Sequence, residues 1–497
     1  MTNLSDLFPA GAGKQVSFTA SGNVTSSGKP VVLNSDGTVS EVSGTAFAVG
    51  AQSSATASVN LANQSRISYD ESADRVVAAY AASGTNDFTL VAGEISGSTI
   101  TWGTPLVVES SITAGNTFDV CFDASNNCMV YTFKKSGTSI VTGCATLSGS
   151  VITADTANEA SVNYNINRVY NVYDATNNKV LVYGATNSTN AGVMWSVSVS
   201  GTTPTYSSDT ALGGINFDNG DAVHDPDQQR IVVVTEGLFA DTYKGSSMLV
   251  DCSGATPSST GPVLFSSSNA YQPQIIYNTT DDKIVIGWYD NNNSSHISYI
   301  AGTVDGAGNN ITYGTKTTQT GANLQYPSYG DMAYDPVGNQ GLYVYYPSGG
   351  TYDTYMQTTT LSGTTVVIGS LNTIWDNPGS ETYYYGSVVY DPDTSKLIFF
   401  YGPQASPSYP HGRVVTPPST NLTATNFLGI SDAAISSAAS GNITIKGGIA
   451  ATGLSSLTPA SDYYVQTDGT FATSAGDPSV KAGKALSATA INLEYQS

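Results

Sequence analysis

Short runs in which apolar and polar residues alternate fill most of the chain, and polar turns separate them. A period of two residues is typical of β-strands with one buried face. One pattern recurs: an apolar run, an aromatic residue, an acidic residue, a polar turn and a second run rich in valine, isoleucine and tyrosine. The seven copies are ISYDESADRVVAAY, VCFDASNNCMVYTF, NVYDATNNKVLVYG, AVHDPDQQRIVVVT, IIYNTTDDKIVIGW, MAYDPVGNQGLYVY and VVYDPDTSKLIFFY.

The acidic position of each copy, which we call the marker, defines repeats 1 to 7. The markers are Asp70, Asp123, Asp174, Asp225, Asn278, Asp335 and Asp391. Consecutive markers are 53, 51, 51, 53, 57 and 56 residues apart, and a period in this range indicates a solenoid, an array or a propeller. Each repeat is predicted to hold four strands, because a Ser-Gly or Asp-Gly turn and another short run follow. A parallel β-helix needs shorter, more uniform coils, so the pattern favours an all-β, seven-bladed β-propeller of four-stranded blades.

The boundaries of the repeats predict how such a propeller would close. Repeat 7 lacks a fourth strand, whereas the segment before repeat 1 resembles one. We therefore expect residues 45–56 to complete the last blade, which would leave no exposed sheet edge. This places the propeller at residues 45–416. Residues 1–44 and 417–497 share a strand–turn–strand pattern ending in Asp-Gly, and we expect them to pair into one small β domain.

Two positions beside the marker also recur. The residue before it is Tyr, Phe or His in all seven copies, and a base stands five residues after it in five copies: Arg75, Lys179, Arg230, Lys283 and Lys396. We expect the base to pair with the marker acid across the turn and the aromatic residue to pack between blades. A surface ion pair contributes only about 0–1 kcal/mol. Residues repeated in this way are interpreted as scaffold, since a site is built once.

Composition and charge argue against several classes of function. The chain has 17 Lys and Arg against 38 Asp and Glu, a formal net charge of −21. Nucleic-acid binding needs clustered bases, and an acidic surface is repelled by anionic membranes. No apolar stretch approaches the length of a membrane span, and the first residues show no secretory signal, so we expect no membrane insertion.

The cysteines and the acidic turns suggest no metal or cofactor. Cys121, Cys128, Cys144 and Cys252 form no CxxC pair. A disulfide between two of the first three stays open, although buried free thiols are favoured. DESAD (70–74) and NTTDDK (278–283) bring carboxylates close together, but we interpret both as turns.

The chain ends resemble a known family. NFLGIS (426–431), GNITIKGGIAATGLSSLTPASDYYV (441–465), TDGTF (467–471) and AGKALSAT (482–489) resemble a small β module at the ends of tail and appendage proteins of tailed bacteriophages, especially marine ones. Residues 16–42 resemble the segment that accompanies it. The resemblance implies a structural or adhesion part on the virion exterior, on the tail or capsid surface. Other virion proteins would be its partners, and a homo-oligomer is expected. The family supplies no catalytic residues.

A sialidase-like propeller enzyme is the alternative from another class. Such an enzyme needs an arginine cluster for the substrate carboxylate and a tyrosine nucleophile with an acidic partner. The chain has five arginines, of which Arg66 and Arg168 precede first strands and could reach a central channel. We therefore expect no enzyme activity and no catalytic residues. His296 and His411 lie in polar segments and are expected to be solvated.

Tyrosines outside the repeat pattern are the candidate ligand-binding residues, because exposed aromatic rings pack on sugars. For a host surface glycan the candidates are Tyr326, Tyr329, Tyr352, Tyr355, Tyr383, Tyr384 and Tyr409. The competing interpretation is that these rings line contacts between blades. Three functions stay open: a host-attachment appendage, which is favoured, a glycan-active enzyme, and a purely architectural decoration or tail connector.

Overall fold

The computed structural model describes residues 14–56, 59–113, 118–186, 191–217, 219–238, 242–291, 296–320, 327–347, 353–376, 383–403, 408–476 and 478–494. Within these ranges the regular structure is β-strand, apart from a 3-10 turn at Thr156–Asn158. The all-β class predicted from the alternation is confirmed. The chain divides into two compact units. Residues 1–48 with 417–497 are called the end domain, and residues 49–416 the repeat domain.

Six short strands precede repeat 1: β1 (Gln15–Thr19), β2 (Pro30–Leu33), β3 (Val39–Glu41), β4 (Gly44–Thr45), β5 (Ala48–Val49) and β6 (Ser53–Ser54).

Repeats 1 to 3 each form one antiparallel sheet, in which a fourth and a short fifth strand both pair with the third. Repeat 1 contains β7 (Leu61–Asp70), β8 (Arg75–Ala82), β9 (Phe88–Ser96), β10 (Thr99–Trp102) and β11 (Leu106–Glu109). Repeat 2 contains β12 (Phe118–Asp123), β13 (Cys128–Ser136), β14 (Ser139–Ser148), β15 (Val151–Ala154) and β16 (Ala160–Asn163). Repeat 3 contains β17 (Ile166–Asp174), β18 (Lys179–Thr186), β19 (Ala191–Ser200), β20 (Thr203–Tyr206) and β21 (Thr210–Asn216).

Repeats 4 and 5 share one long strand, which joins them into an eight-stranded sheet. Repeat 4 contains β22 (Gly220–Asp225), β23 (Arg230–Leu238), β24 (Thr242–Asp251) and the first half of β25 (Ser258–Asn278). Repeat 5 contains the second half of β25, then β26 (Lys283–Asp290), β27 (His296–Val304), β28 (Ile311–Tyr313) and β29 (Thr317–Thr318).

Repeats 6 and 7 end the repeat domain. Repeat 6 contains β30 (Pro327–Asp335), β31 (Gln340–Pro347), β32 (Thr354–Ser362) and β33 (Thr365–Trp375). Repeat 7 contains β34 (Tyr383–Asp391), β35 (Lys396–Pro403) and β36 (His411–Thr416). The strands β5 and β6, from before repeat 1, pair with β36.

The end domain combines strands from both parts of the chain. Its later strands are β37 (Ser419–Thr420), β38 (Phe427–Ser431), β39 (Ser440–Ile445), β40 (Ile449–Ala450), β41 (Asp462–Val465), β42 (Phe471–Ala472), β43 (Val480–Ser487) and β44 (Ala490–Leu493). One sheet has the order β1-β39-β38-β2-β3, and another the order β40-β44-β43-β41-β42. Val32 and Ile430 from the first sheet share one buried apolar cluster with Val465 and Ile491 from the second. The apolar residues of both ends are thus needed for one core.

The core of the repeat domain lies between neighbouring sheets. The second strand of each repeat is the most apolar; in β8, for example, every residue after Arg75 is buried. The first strands contact one another in chain order, through β7, β12, β17, β22, β25, β30 and β34, and β34 also contacts β7. Between repeats 7 and 1 the Phe400 ring lies 6.5 Å from Tyr80 and 5.5 Å from Trp102. Burying a ring of this size contributes about 1.5–3 kcal/mol.

Every marker builds the turn that follows it. Its Oδ1 atom accepts hydrogen bonds from the backbone N–H groups two and three residues later, at 2.9–3.2 Å in all seven repeats. The residue four positions after the marker has φ between 45° and 55°. These are Asp74, Asn127, Asn178, Gln229, Asp282, Asn339 and Ser395. Asp and Asn tolerate this left-handed conformation better than most residues, which explains why they predominate here.

The predicted ion pair between the marker and the following base is wrong. The marker carboxylate is occupied by its own turn, and each base points elsewhere. The partners are Glu94 for Arg75, Asp251 for Arg230, the carbonyl oxygen of Cys252 for Lys179, the carbonyl oxygen of Asp281 for Lys283 and the hydroxyl of Thr416 for Lys396. Lys179 thereby links repeat 3 to repeat 4. Lys283 stays at its own turn, whereas the other four bases reach partners outside it. Spacing along the chain did not identify these partners, because a base has a side chain long enough to reach them.

In repeats 3, 4 and 6 the aromatic residue before the marker reaches the marker turn of the preceding repeat. The hydroxyl of Tyr173 accepts a hydrogen bond from the backbone N–H of Ser125 at 3.2 Å. The hydroxyl of Tyr334 donates to Oδ1 of Asn278 at 3.1 Å. His224 Nε2 lies 3.2 Å from Oδ1 of Asp174.

The same contact joins repeat 1 to repeat 7. Burial raises the pKa of the Tyr69 hydroxyl, and the carboxylate of Asp391 raises it further. In repeat 2 the aromatic residue is Phe122, which has no hydroxyl to offer to Asp70. Among the described residues, the buried Oδ2 atom of Asp70 has no hydrogen-bond partner.

Replacing Phe122 with tyrosine should therefore stabilise the repeat domain. The new hydroxyl would reach Asp70, and satisfying a buried acceptor is worth about 1–3 kcal/mol. Urea unfolding followed by tryptophan fluorescence measures the change. Tyr334→Phe is the matched control and should destabilise the protein, because it removes the equivalent contact to Asn278. A neutral or destabilising Phe122→Tyr would show that Asp70 does not need this partner.

Candidate functional site

A cavity of about 390 Å³ lies among the first strands of all seven repeats. We call it the inner cavity. The residue four positions before each marker lines it: Arg66, Asp119, Tyr170, Asp221, Gln274, Asp331 and Ser387. Each of these positions bears a polar group. Polar side chains at one register, brought together by packing distant segments, are what a binding site requires.

Three of these side chains are carboxylates that join neighbouring repeats. Asp119 accepts hydrogen bonds from the backbone N–H of Val120 at 2.9 Å and of Asn171, in repeat 3, at 2.8 Å. The other two repeat this arrangement between repeats 4 and 5 and between repeats 6 and 7. Asp221 accepts from Ala222 and Ile275, and Asp331 from Met332 and Val388, at 2.8–3.0 Å. The carboxylates thus connect adjacent inner strands where no sheet ladder does.

Arg66 is the single base among the described residues that line the inner cavity. Its Nε atom lies 3.4 Å from Oδ1 of Asp119, and its guanidinium lies 5.8 Å from the centre of the Tyr170 ring. Burial by itself would lower the pKa of Arg66, but the neighbouring carboxylates, Asp119 first, outweigh it and raise the pKa. Arg66 is therefore already paired within the protein.

The carboxylates of the inner cavity are poorly solvated. Burial raises the pKa of Asp221 to about 7, and repulsion from Asp331 adds to this shift. Burial also raises the pKa of Asp119 to about 6, although Arg66 offsets part of the effect. Burial is again the largest cause of the raised pKa of Asp331. The pKa of Asp221 is raised more than that of Asp119 because Arg66 pairs with Asp119.

A further buried acid stands at the edge of the inner cavity. Glu236 accepts hydrogen bonds from the Asn219 side chain and from the backbone N–H of Gln272, the latter at 2.6 Å. Gln272 has a positive φ of 48° and follows an irregularity in the pairing of β25 with β26. Both Asn219 and Gln272 line the inner cavity. The Glu236 carboxylate thus holds the side-chain amide of Asn219 and the backbone of Gln272 in position.

The described lining of the inner cavity includes one arginine and the buried Tyr170, which bear on glycoside hydrolysis by a tyrosine nucleophile. Burial raises the pKa of Tyr170, which disfavours the phenolate that would attack. Arg168, which the sequence suggested for this channel, is not among the residues that line it. In the described part of the chain, no three His, Cys, Asp or Glu side chains are arranged to hold a metal ion.

The tyrosines proposed as a glycan site fall in several different places. Tyr326 and Tyr352 lie outside the described residues. Tyr329 lies in β30, and Tyr383 and Tyr384 begin β34. Tyr355 is half-buried, and its ring lies 6.2 Å from that of the buried Tyr345. Tyr409 is half-buried just before β36. Tyr355 and Tyr409 are not among the described residues that line the inner cavity.

Two further sequence interpretations are settled by burial. His411 is 6 % exposed, not solvated as expected; burial lowers its pKa to about 4, and Arg413 adds to the shift. It is buried because it begins β36, between β35 and β6. All four cysteines are free thiols, and Cys128, Cys144 and Cys252 are fully buried.

Sequence reasoning missed the ring of polar residues around the inner cavity. A signal was present, since the position four residues before the marker is polar in every repeat. It was hidden because the residue type changes from base to acid to amide, so no motif repeats.

Comparison with known proteins gives only distant similarities. No protein-family model and no curated protein matches the sequence. Among solved structures, the K499G mutant of NanB sialidase from Streptococcus pneumoniae is 12% identical and covers 74% of this chain and 70% of its own, with a TM-score of 0.43. A protein from Lactobacillus plantarum is 13% identical over 73% of this chain and 98% of its own, with a TM-score of 0.45. The Dos1 propeller is 10% identical and covers 74% of this chain and 95% of its own, with a TM-score of 0.42. Values this low carry no argument about activity.

The raised pKa values of the carboxylates around the inner cavity predict that the folded protein loses stability as the pH rises from about 4 to about 7. The pKa of Asp221, about 7 in the folded state, exceeds its ordinary value of 3.8. In this window the folded state therefore binds more protons than the unfolded state. The free energy of unfolding that this proton binding contributes is lost as the pH rises through 7. Asp221→Asn should flatten the decline of the unfolding free energy between pH 5 and pH 8. One pKa unit corresponds to about 1.4 kcal/mol.

Asp209→Asn, at an exposed position, provides the control for the charge removed and should leave the slope unchanged. Urea unfolding at each pH measures both variants. An unaltered slope in Asp221→Asn would show that Asp221 titrates as it does in the unfolded chain.

Proposed function

We propose that the chain is a non-enzymatic virion appendage of a tailed bacteriophage, which displays a seven-bladed β-propeller for attachment to the host surface. The observation that carries the proposal is the cycle of seven inner strands around one polar cavity with a single arginine. Each repeat contributes one sheet or half of a shared one, and the contact between β34 and β7 supports closure by β5 and β6 as part of the seventh blade.

The lining of the inner cavity disfavours a sialidase-like enzyme. Binding an acid sugar needs several bases in one place, whereas here three carboxylates face a single Arg66 that already pairs with Asp119. A tyrosine nucleophile would need an activated phenol, and burial raises the pKa of Tyr170, which disfavours its phenolate.

The assignment to a virion is supported by the chain ends. The segments that resemble the phage module, residues 16–42 and 426–489, supply strands of the end domain, including the sheet β1-β39-β38-β2-β3. Such a domain would anchor the protein to other virion proteins and leave the repeat domain exposed on the tail or capsid. We also propose a homo-oligomer, as in many appendages that the module resembles.

The lack of sialidase activity is directly testable. The full-length protein should release no sialic acid from a panel of sialylated glycans, because the inner cavity cannot neutralise the substrate carboxylate. Released sialic acid is measured by fluorescent labelling and chromatography. Turnover in the wild-type protein that disappears in Arg66→Ala would contradict the proposal, with Arg75→Ala as the control for an arginine outside the cavity.

The virion assignment predicts that the chain is a component of the particle. Mass spectrometry of purified virions of the phage that encodes it should detect peptides from both the repeat domain and the end domain. Immunogold labelling against the repeat domain should then mark the exterior of the particle. Purified virions without these peptides would disprove the assignment.

A further inference from the structure

We propose that the inner cavity is the receptor site and that it binds a single sugar residue without an acid group. This inference rests on the proposed role in host attachment and names the ligand of that role. The volume of about 390 Å³ falls within the range of small-molecule pockets, about 300–1,000 Å³. It is large enough for one sugar ring or the end of a glycan, and too small for a longer chain to lie inside.

The hydrogen-bonding capacity of the lining determines the chemistry of the ligand. An ionised carboxylate can accept about four hydrogen bonds. Asp221 accepts two from the backbone, one at each oxygen, so acceptor capacity remains. Oδ1 of Asn171 is buried and has no hydrogen-bond partner among the described residues, and Asn171 lines the inner cavity. The cavity is therefore rich in acceptors, and its ligand must donate hydrogen bonds, as sugar hydroxyls do.

Amide side chains make the lining suitable for sugars in particular. Asn219, Gln272 and Gln274 line the same cavity as the carboxylates. An amide offers both a donor and an acceptor, and a sugar hydroxyl also needs both. A metal ion would use only acceptors, and no set of three ligands for one is present among the described residues.

Charge excludes acid sugars from this site. Asp119, Asp221 and Asp331 all line the cavity, and electrostatic repulsion between Asp221 and Asp331 is already evident in the raised pKa of Asp221. A ligand carboxylate would add a further negative charge in a poorly solvated space, where like charges repel strongly. Arg66 cannot compensate without leaving Asp119. An amino sugar, which adds a positive charge, is the strongest binder that we expect.

The geometry also separates this site from the tyrosine-rich segments. Tyr355 and Tyr409 are not among the residues that line the inner cavity. Substitution at these tyrosines and substitution in the cavity therefore test two different locations for the same function.

Saturation-transfer NMR and isothermal titration calorimetry on the full-length protein test the proposal. The panel comprises methyl glycosides of glucose, galactose and mannose, N-acetylglucosamine, glucosamine, glucuronic acid and N-acetylneuraminic acid. At least one sugar without an acid group should bind, glucosamine at least as tightly as the neutral sugars, and both acid sugars should fail to bind. Asp221→Asn and Asn171→Ser should each weaken binding at least tenfold. The control variants Tyr409→Phe and Asp209→Asn should bind as the wild-type protein does.

Thermal unfolding by circular dichroism shows whether each variant is folded, and Asn171→Ser keeps the test valid if Asp221→Asn unfolds. Binding of acid sugars, binding of none of the panel, or loss of binding only in Tyr409→Phe would each overturn the proposal. Its failure is distinct from that of the proposed function. A virion that contains the chain without sugar binding overturns only the receptor site, whereas sugar binding without a place on the virion overturns only the phage assignment.

Discussion

Side-chain carbonyl and carboxylate oxygens that accept backbone N–H groups hold this chain together at the points where its sheets do not. In each repeat the marker binds two N–H groups of the turn between the first two strands, and at three junctions an inner carboxylate binds an N–H group of the next repeat. Hydrogen bonds to charged groups are stronger than neutral ones, about 1.5–3 kcal/mol each. They let the chain turn and let separate sheets meet without leaving backbone donors unpaired.

The same use of carboxylates explains the unusual electrostatics of the interior. Each of the inner carboxylates of Asp119, Asp221 and Asp331 connects two repeats. Burial raises the pKa of all three, and repulsion from neighbouring carboxylates adds to the shifts of Asp119 and Asp221. Arg66 offsets part of the shift of Asp119 and of Asp331. The same carboxylate oxygens serve two purposes. They join neighbouring repeats, and they can still accept hydrogen bonds from a ligand in the cavity.

Much of the local structure was predictable from the sequence, and the site was not. The alternation predicted strands, and the polar segment after each marker predicted a turn, because both depend on neighbouring residues. The sequence predicted that the base five residues after the marker forms an ion pair with the marker. Instead, Arg75 binds Glu94 and Lys179 binds a carbonyl oxygen of the next repeat. A long side chain can bind a partner that is close in the folded structure but distant in sequence. In these two cases the partners are 19 and 73 residues away along the chain. The prediction that His411 is solvated was wrong for the same reason. Its neighbours in sequence are polar, but in the folded protein it lies between two strands.

The sequence by itself determined the all-β class, the period of the repeat and the chemistry of each marker turn, since strand alternation and turn hydrogen bonding are local. Tertiary structure alone decided which polar residues face one another. Arg66, Asp119, Asp221 and Asp331 are up to 265 residues apart in sequence, and they share the inner cavity only because the first strands of successive repeats pack side by side and the last contacts the first. The partner of each side chain and the balance of charge in that cavity are properties of this packing, and no single repeat contains them.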